Sequence, residues 1–229
     1  MAFELEKEMA APVARWLAAQ GLLVKQEFKT QWGICDLAAC QLDPDKVAIR
    51  IRQRQKKPIG SAIRVFVYQH LPDSERSSRG ISVERLRSLF KFSESERLES
   101  ELDRLVASGH AKRTRSGTFQ KINGWFPLHK RLVAVELKLS RVSEAIAQAR
   151  ANRNFAPESY IAMPVDVAHR VANGHGREAL RTAGIGMIGV EKDHCVVMVQ
   201  PENLIALSPE FETHAVEQFW KVSVLSSST

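Results

Sequence analysis

The chain has 229 residues, 44% of them apolar and 26% charged, which is enough for one large domain or two small ones with an ordinary core. It contains no run of about 18 apolar residues and begins with an acidic segment, so we expect neither a transmembrane helix nor a secretory signal. The net charge of +7 favours a polyanionic partner, most simply nucleic acid, and three cysteines without CxxC spacing indicate reduced thiols in a cytoplasmic protein.

The N-terminal segment predicts a helix followed by a β-hairpin. Apolar residues at spacings of three and four predict the helix over 3–20. Pro12 should kink this helix or begin a second helical segment, and Gly21 should end it. The apolar stretches 22–28 and 33–42 then predict two strands.

The middle of the chain predicts three helices and a basic hairpin that turns at Ser116-Gly117. Ser82 is the expected cap of the second helix, and Ser93 or Ser95 that of the third. This order resembles a winged helix-turn-helix domain. The predicted elements are helices over 62–71, 82–90 and 93–109 and a hairpin over 110–122.

The C-terminal part predicts alternating strands and helices with a frayed tail over 223–229. Ser143 is the expected cap of the first of these helices. Together with the N-terminal segment, this order predicts an α/β domain over 1–45 and 131–229, with a second domain inserted over 46–130. The predicted elements are strands over 131–140, 159–164, 185–192 and 194–200 and helices over 143–155 and 165–184.

Three charged residues stand inside apolar strands. Asp36 lies in the second strand, and Glu136 and Lys138 share one face of the strand over 131–140 because side chains alternate along a strand. If the two strands are neighbours, the three side chains can converge. Two carboxylates and a lysine suit a Mg²⁺-dependent phosphodiesterase, in which the lysine orients or deprotonates water or stabilises the transition state. A solvent-facing pair on an edge strand is the alternative for Glu136 and Lys138.

This arrangement resembles the PD-(D/E)XK nuclease superfamily, whose motif is an Asp on one strand and Glu-x-Lys on the next. Here the motif consists of Asp36, Glu136 and Lys138, and the resemblance covers about 1–42 and 131–200. It is similar above all to a bacterial group of PD-(D/E)XK phosphodiesterases of unassigned role. The resemblance implies a restriction-endonuclease-like mixed sheet flanked by helices, and Mg²⁺ as cofactor with Mn²⁺ able to substitute.

The superfamily also implies further site residues. A Glu on the first helix corresponds to Glu6, which we prefer, or to Glu8, with Glu27 on the first strand as a weaker candidate, and a Gln on the helix after the motif corresponds to Gln148. Cys35 replaces the Pro that usually precedes the Asp, and the unusually long separation of the motif strands is explained by the inserted domain. The metal ligands implied by the resemblance are Asp36, Glu136 and the Leu137 carbonyl.

Two groups of basic residues are candidate contacts for nucleic-acid phosphates. The basic residues of the first group stand at every second position of one segment, so they would form a cationic edge if that segment were a strand or an extended arm. The alternative is that the segment is a solvated linker. The second lies in the predicted wing. The third helix is acidic, which argues against major-groove recognition and leaves contact through the wing alone or with protein partners. The candidates are Arg50, Arg52, Arg54 and Lys56 in the segment, and Lys112, Arg113 and Arg115 in the wing.

The sequence therefore predicts a Mg²⁺-dependent nuclease that cleaves nucleic acid, with DNA favoured, by attack of an activated water. The alternative is a non-catalytic DNA-binding or regulatory protein on a nuclease-like scaffold. A third hypothesis is a protein-interaction module whose acidic helix binds a basic partner. We expect no membrane partner, and a homodimer is left open.

Overall fold

The computed structural model describes residues 3–90, 96–202 and 205–220. The predicted caps Ser93 and Ser95 and the predicted frayed tail over 223–229 lie outside the described residues. The chain divides into two compact units. The sheet unit comprises Met1–Gln41 and His129–Glu212, and the helical unit comprises Leu42–Leu128 and Thr213–Thr229.

The secondary structure follows the predicted alternation closely. A short 3-10 helix over Glu6–Met9 precedes the first α-helix. The strands are β1 Leu23–Lys29, β2 Ile34–Leu42, β3 Ala111–Arg113, β4 Phe119–Lys121, β5 His129–Leu137, β6 Glu158–Pro164, β7 Gly186–Val190 and β8 Cys195–Val199. The helices are α1 Ala10–Ala19, α2 Pro44–Arg52, α3 Ala62–His70, α4 Val83–Arg87, α5 Leu98–Ala107, α6 Val142–Asn152, α7 Val165–Asn173, α8 Gly176–Ala183 and α9 Pro209–Phe219.

The sheet unit is built on a six-stranded mixed sheet in the order β1-β2-β5-β6-β7-β8. The central strands β5, β6 and β7 run parallel, whereas β1 pairs with β2 and β7 with β8 in antiparallel fashion. The predicted α/β class, with a mixed sheet flanked by helices, is confirmed. Because β2 and β5 are neighbours, residues on them can share one site.

Each face of the sheet carries its own hydrophobic core. One core joins α1 to the odd-numbered residues of β2 and β5, such as Leu37, Val135 and Leu137. The other joins the opposite face to α6, α7 and α8 and includes Ala145 and Ile161. Since strand side chains alternate between faces, the even-numbered residues of β5 point toward the α6 side.

Three details of the sheet unit differ from the predictions. The second segment of the N-terminal helix begins at Ala10, and Pro12 lies in its first turn, where a missing N–H costs little. Strand β5 ends at Leu137, so Lys138 follows the strand, although its N–H still bonds to the Ala162 carbonyl. The predicted cap Ser143 lies inside α6, which begins one residue earlier.

The helical unit contains a helix where the sequence predicted a strand or extended arm. Asp43 caps α2 by accepting bonds from the Asp45 and Lys46 N–H groups, and Pro44 occupies the first helical position. The prediction that these cations lie along one edge of a strand or extended arm is therefore wrong for Arg50 and Arg52, which belong to α2. Helix α9 was not predicted at all.

Arg50, a predicted phosphate contact, is fully buried in this unit. Its guanidinium bonds to Glu217 at 2.5 and 2.9 Å and lies 4.4 Å from the ring centroid of Trp125 and 4.1 Å from that of Trp220. A guanidinium paired and enclosed in this way stabilises the packing of its own unit. The prediction that Arg50 contacts nucleic acid is wrong, because its charge is satisfied internally.

Helices α3 and α4 begin where the sequence predicted, whereas the described part of the third helix, α5, begins at Leu98. Ser61 caps α3 and Ser82 caps α4 through their hydroxyl groups. Helix α5 packs against α3, α4 and β3, and β3 pairs with β4 in an antiparallel hairpin. In the part of the chain that the structure describes, no helix has the length and apolar character needed to cross a bilayer.

Candidate active site

Neighbouring strands β2 and β5 bring Asp36 and Glu136 together. The Asp36 carboxylate accepts a 2.7 Å hydrogen bond from the Leu137 N–H, and the two carboxyl groups lie within hydrogen-bonding range of each other. Asp36 is half-buried, whereas Glu136 is only 4% exposed. The pair therefore concentrates negative charge at the sheet surface that faces α6.

Glu136 has an unusual environment for a carboxyl group. Its pKa is raised from 4.5 to about 7: burial is the largest cause and the neighbouring Asp36 adds to the rise, while a hydrogen bond from Asn152 and the charge of Lys138 oppose it. The Asn152 amide donates this bond to Glu136 Oε1 at 2.5 Å. A buried carboxyl beside another carboxylate is the environment that a bound cation would stabilise.

Lys138 is the cation of the site and is 7% exposed. Its Nζ lies 3.5 Å from Glu6 Oε2 and 3.7 Å from Glu144 Oε1. Arg141 contacts the same two carboxylates at 3.9 and 2.7 Å. This ion network holds the lysine next to the carboxyl pair.

The geometry distinguishes the two glutamates of the N-terminal helix. Glu6 contacts Lys138 and accepts a 3.4 Å bond from the Leu139 N–H, so it belongs to the ion network. Glu8 instead accepts bonds from the Glu4 and Leu5 N–H groups and so caps the 3-10 helix. Of the two candidates, the structure brings only Glu6 to the site.

Helix α6 presents a row of polar residues to the site at intervals of four. Glu144 and Asn152 contact Lys138 and Glu136, and Gln148 lies between them on the same helix face. Gln148 is exposed and contacts none of the described site residues. Sequence reasoning missed Glu144 and Asn152, although their four-residue spacing from Gln148 was a usable signal.

The chemistry of these groups fits a magnesium ion. The predicted ligands are two carboxylates and the Leu137 carbonyl, all hard oxygen donors of the kind that Mg²⁺ prefers. The described residues contain no group of three or more His, Cys, Asp or Glu that could hold a metal.

Cys35, which precedes Asp36, does not take part in this chemistry. Its thiol is buried and donates to the Leu37 carbonyl at 3.1 Å. Burial, with a smaller effect from the Glu136 charge, raises its pKa well above the ordinary value. A thiol that stays protonated is a poor nucleophile.

The other predicted contacts for nucleic acid lie in the helical unit and are exposed, unlike Arg50. Arg52 is the last residue of α2, and Arg54 and Lys56 lie in the loop that follows it; all three are exposed. In the β3–β4 hairpin, the guanidinium of Arg113 lies 5.7 Å from the Phe119 ring centroid. The exposed hairpin candidates are Lys112, Arg113 and Arg115.

Comparisons with known proteins add little to this geometry. The sequence matches no protein-family model, and it matches no curated protein. Among solved structures, the chain is similar to the SPO1766 protein of unknown function from Silicibacter pomeroyi. The identity is 11% and the TM-score 0.44, over 99% of this chain and 90% of that chain.

Proposed function

We propose that the protein is a Mg²⁺-dependent phosphodiesterase that hydrolyses nucleic acid, with DNA as the favoured substrate. One observation carries this proposal: Asp36 and Glu136 form a buried carboxyl pair next to Lys138, and the pKa of Glu136 is raised to about 7. Perturbed carboxyl groups beside a held cation are typical of catalytic sites. The net charge of +7 supports a polyanionic substrate.

The order of elements supports membership of the PD-(D/E)XK superfamily. A helix, a hairpin, the β5 strand with its Glu-x-Lys residues and helix α6 follow one another as that resemblance implies. In the helical unit, α3, α4 and α5 followed by the β3–β4 hairpin support a winged-helix domain. We include both assignments in the proposal.

Each side chain of the site has a role in this reaction. A bound Mg²⁺ would act as a Lewis acid toward water and offset the negative charge of the phosphate. Asp36 and Glu136 would hold the ion, with the Leu137 N–H and Asn152 fixing their orientation. Lys138 donates hydrogen bonds to the attacking water or to a non-bridging phosphate oxygen.

The hydrolysis itself exchanges one P–O bond for another. The water oxygen forms a bond to phosphorus, the bond to the leaving oxygen breaks, and the leaving oxygen takes up a proton while the attacking water loses one to solvent. Lys138 stabilises the negative charge that develops on the phosphate. Gln148, exposed on the same face of α6, would contact the substrate in this proposal.

We expect Mg²⁺-dependent cleavage of labelled DNA that is lost in EDTA and in Asp36→Asn, because the variant removes one ligand charge. The matched control is Asp193→Asn, which makes the same change at an exposed turn and should cleave like the wild type. Cleavage of DNA and RNA should be measured with Mg²⁺ and with Mn²⁺. A wild type that cleaves neither substrate, or an Asp36→Asn variant that cleaves normally, would contradict the proposal.

The second candidate function is non-catalytic binding of DNA, which the winged-helix-like order of the helical unit favours. It predicts salt-dependent binding without any metal requirement and no cleavage under any condition. The same assays separate the two functions.

A further inference from the structure

A cleft of about 410 Å³ in the helical unit is lined mainly by cationic side chains. It lies between the loop after α2, the start of α3 and the end of α5. Two of its residues were predicted to lie on an extended cationic edge, and the structure instead places them in a concave site. The five cations of the cleft are Arg54, Lys56, Lys57, Arg64 and Arg104.

The charge of the cleft is largely uncompensated. Glu101 pairs with Arg64 at 2.5 Å and with Arg104 at 3.1 Å. Within the described part of the chain, no carboxylate lies within ion-pair distance of Arg54, Lys56 or Lys57. Five cations and one carboxylate leave an excess of four positive charges, which is more than a single small anion would neutralise.

Part of the cleft is held in place before any ligand binds. Arg64 bonds to Glu101 and donates to the Ile59 carbonyl at 2.8 Å. Gly60 has φ of 107°, and a Cβ there would lie 2.6 Å from Arg64 Nη1, so the glycine leaves room for the guanidinium. The Nε–H and one Nη1–H of Arg64 are donated within the protein, so the remaining N–H groups of this fixed guanidinium are the ones that can meet phosphate oxygens.

The backbone conformation of Arg54 is a second feature of the cleft that points to a function. Its φ of 59° is left-handed, at the position after a helix where glycine is usually found. A large side chain is disfavoured in this conformation. The exposed guanidinium at this position therefore opposes the local backbone preference, which is typical of functional positions.

We propose that this cleft binds the phosphate backbone of a nucleic-acid strand. The guanidinium and ammonium groups suit phosphates, and their number suits several phosphates of one strand. The apolar residues of the lining are Pro58 and Ala107 alone, and the other apolar surface belongs to the stems of charged side chains, so the cleft does not suit a lipid acyl chain. Binding here needs no divalent cation, so its test is separate from that of the hydrolysis.

The test is fluorescence anisotropy with the full chain and a labelled single-stranded oligonucleotide of mixed sequence, in EDTA and at several salt concentrations. Lys56→Ala with Lys57→Ala removes two exposed cleft cations, and we expect affinity to fall at least about tenfold and the salt slope to decrease by one to two. The matched control is Arg170→Ala with Arg177→Ala, which removes two exposed cations of the sheet unit.

A loss confined to the cleft variant supports the proposal. An equal loss in both double variants would show a general effect of net charge and overturn it, as would no loss in either. Inorganic tripolyphosphate tests the alternative that the cleft binds a small phosphate-containing anion. If it binds to the cleft and the oligonucleotide does not, the site takes a small anion and the proposal is wrong.

Arg54→Gly separates binding from folding. The glycine relieves the left-handed backbone, so we expect the melting temperature to stay the same or rise while affinity for the oligonucleotide falls. Unchanged affinity in this variant would mean that the Arg54 side chain does not contact the strand and would overturn its part in the proposal.

Discussion

Lys138→Ala is expected to reduce cleavage by roughly 10²- to 10³-fold while leaving the fold intact, because it removes the cation that we propose stabilises the reacting phosphate. The variant leaves Glu6 and Glu144 without the lysine, but both carboxylates are partly exposed and both keep Arg141 as a partner. The rate should be measured under single-turnover conditions with saturating Mg²⁺, together with a thermal melt.

The matched control for this variant is Arg141→Ala. Arg141 contacts the same two carboxylates as Lys138, but its side chain is 65% exposed. If the network acts only by general electrostatics, the two variants should lose activity equally. We expect a large loss for Lys138→Ala alone, and normal cleavage by Lys138→Ala would refute the assigned role.

Glu136 is expected to make the stability of the protein in EDTA depend on pH. Its pKa is about 7 in the folded chain and 4.5 is the ordinary value. Between these values the folded chain binds more protons than the unfolded chain, so the free energy of unfolding falls as pH rises from about 4.5 to 7. At about 1.4 kcal/mol for each pH unit, the full effect is roughly 3 kcal/mol.

Urea unfolding in EDTA across this pH range measures the effect. Glu136→Gln removes the titration and keeps an oxygen that accepts the Asn152 hydrogen bond, so its stability should vary less with pH than that of the wild type. Glu75→Gln, at an exposed position of the loop between α3 and α4, is the control and should keep the wild-type profile. Identical pH profiles for wild type and Glu136→Gln would show that Glu136 does not ionise in this range.

The centre of the site was accessible to sequence reasoning because strands have a period of two. That period placed Glu136 and Lys138 on one face, and it put Asp36 within reach on the condition that the two strands are neighbours, which the sheet order confirms. What the pattern did not reveal was the role of Asn152. The four-residue spacing from Gln148 could have placed Asn152 on the same helix face, but an asparagine at a helix end is also typical of the turn that follows, and its bond to Glu136 is visible in the fold.

The helical unit was harder to predict, and Arg50 shows why. Alternating arginines favoured an extended arm, whereas the Asp43-Pro44 pair signalled the start of a helix. The burial of Arg50 depends on Glu217, which is 167 residues away in sequence on a helix that was not predicted. A local pattern contains no information about a partner at that distance.

The central claim is that Asp36 and Glu136 form a divalent-cation site. The most direct test is calorimetric titration with Mg²⁺ and Mn²⁺ at about pH 8, where Glu136 is mostly ionised. A phosphorothioate oligonucleotide, which resists hydrolysis, should be present so that substrate phosphates can complete the coordination. We predict binding by the wild type and none by Asp36→Asn; equal binding by both proteins, or none by either, would contradict the account.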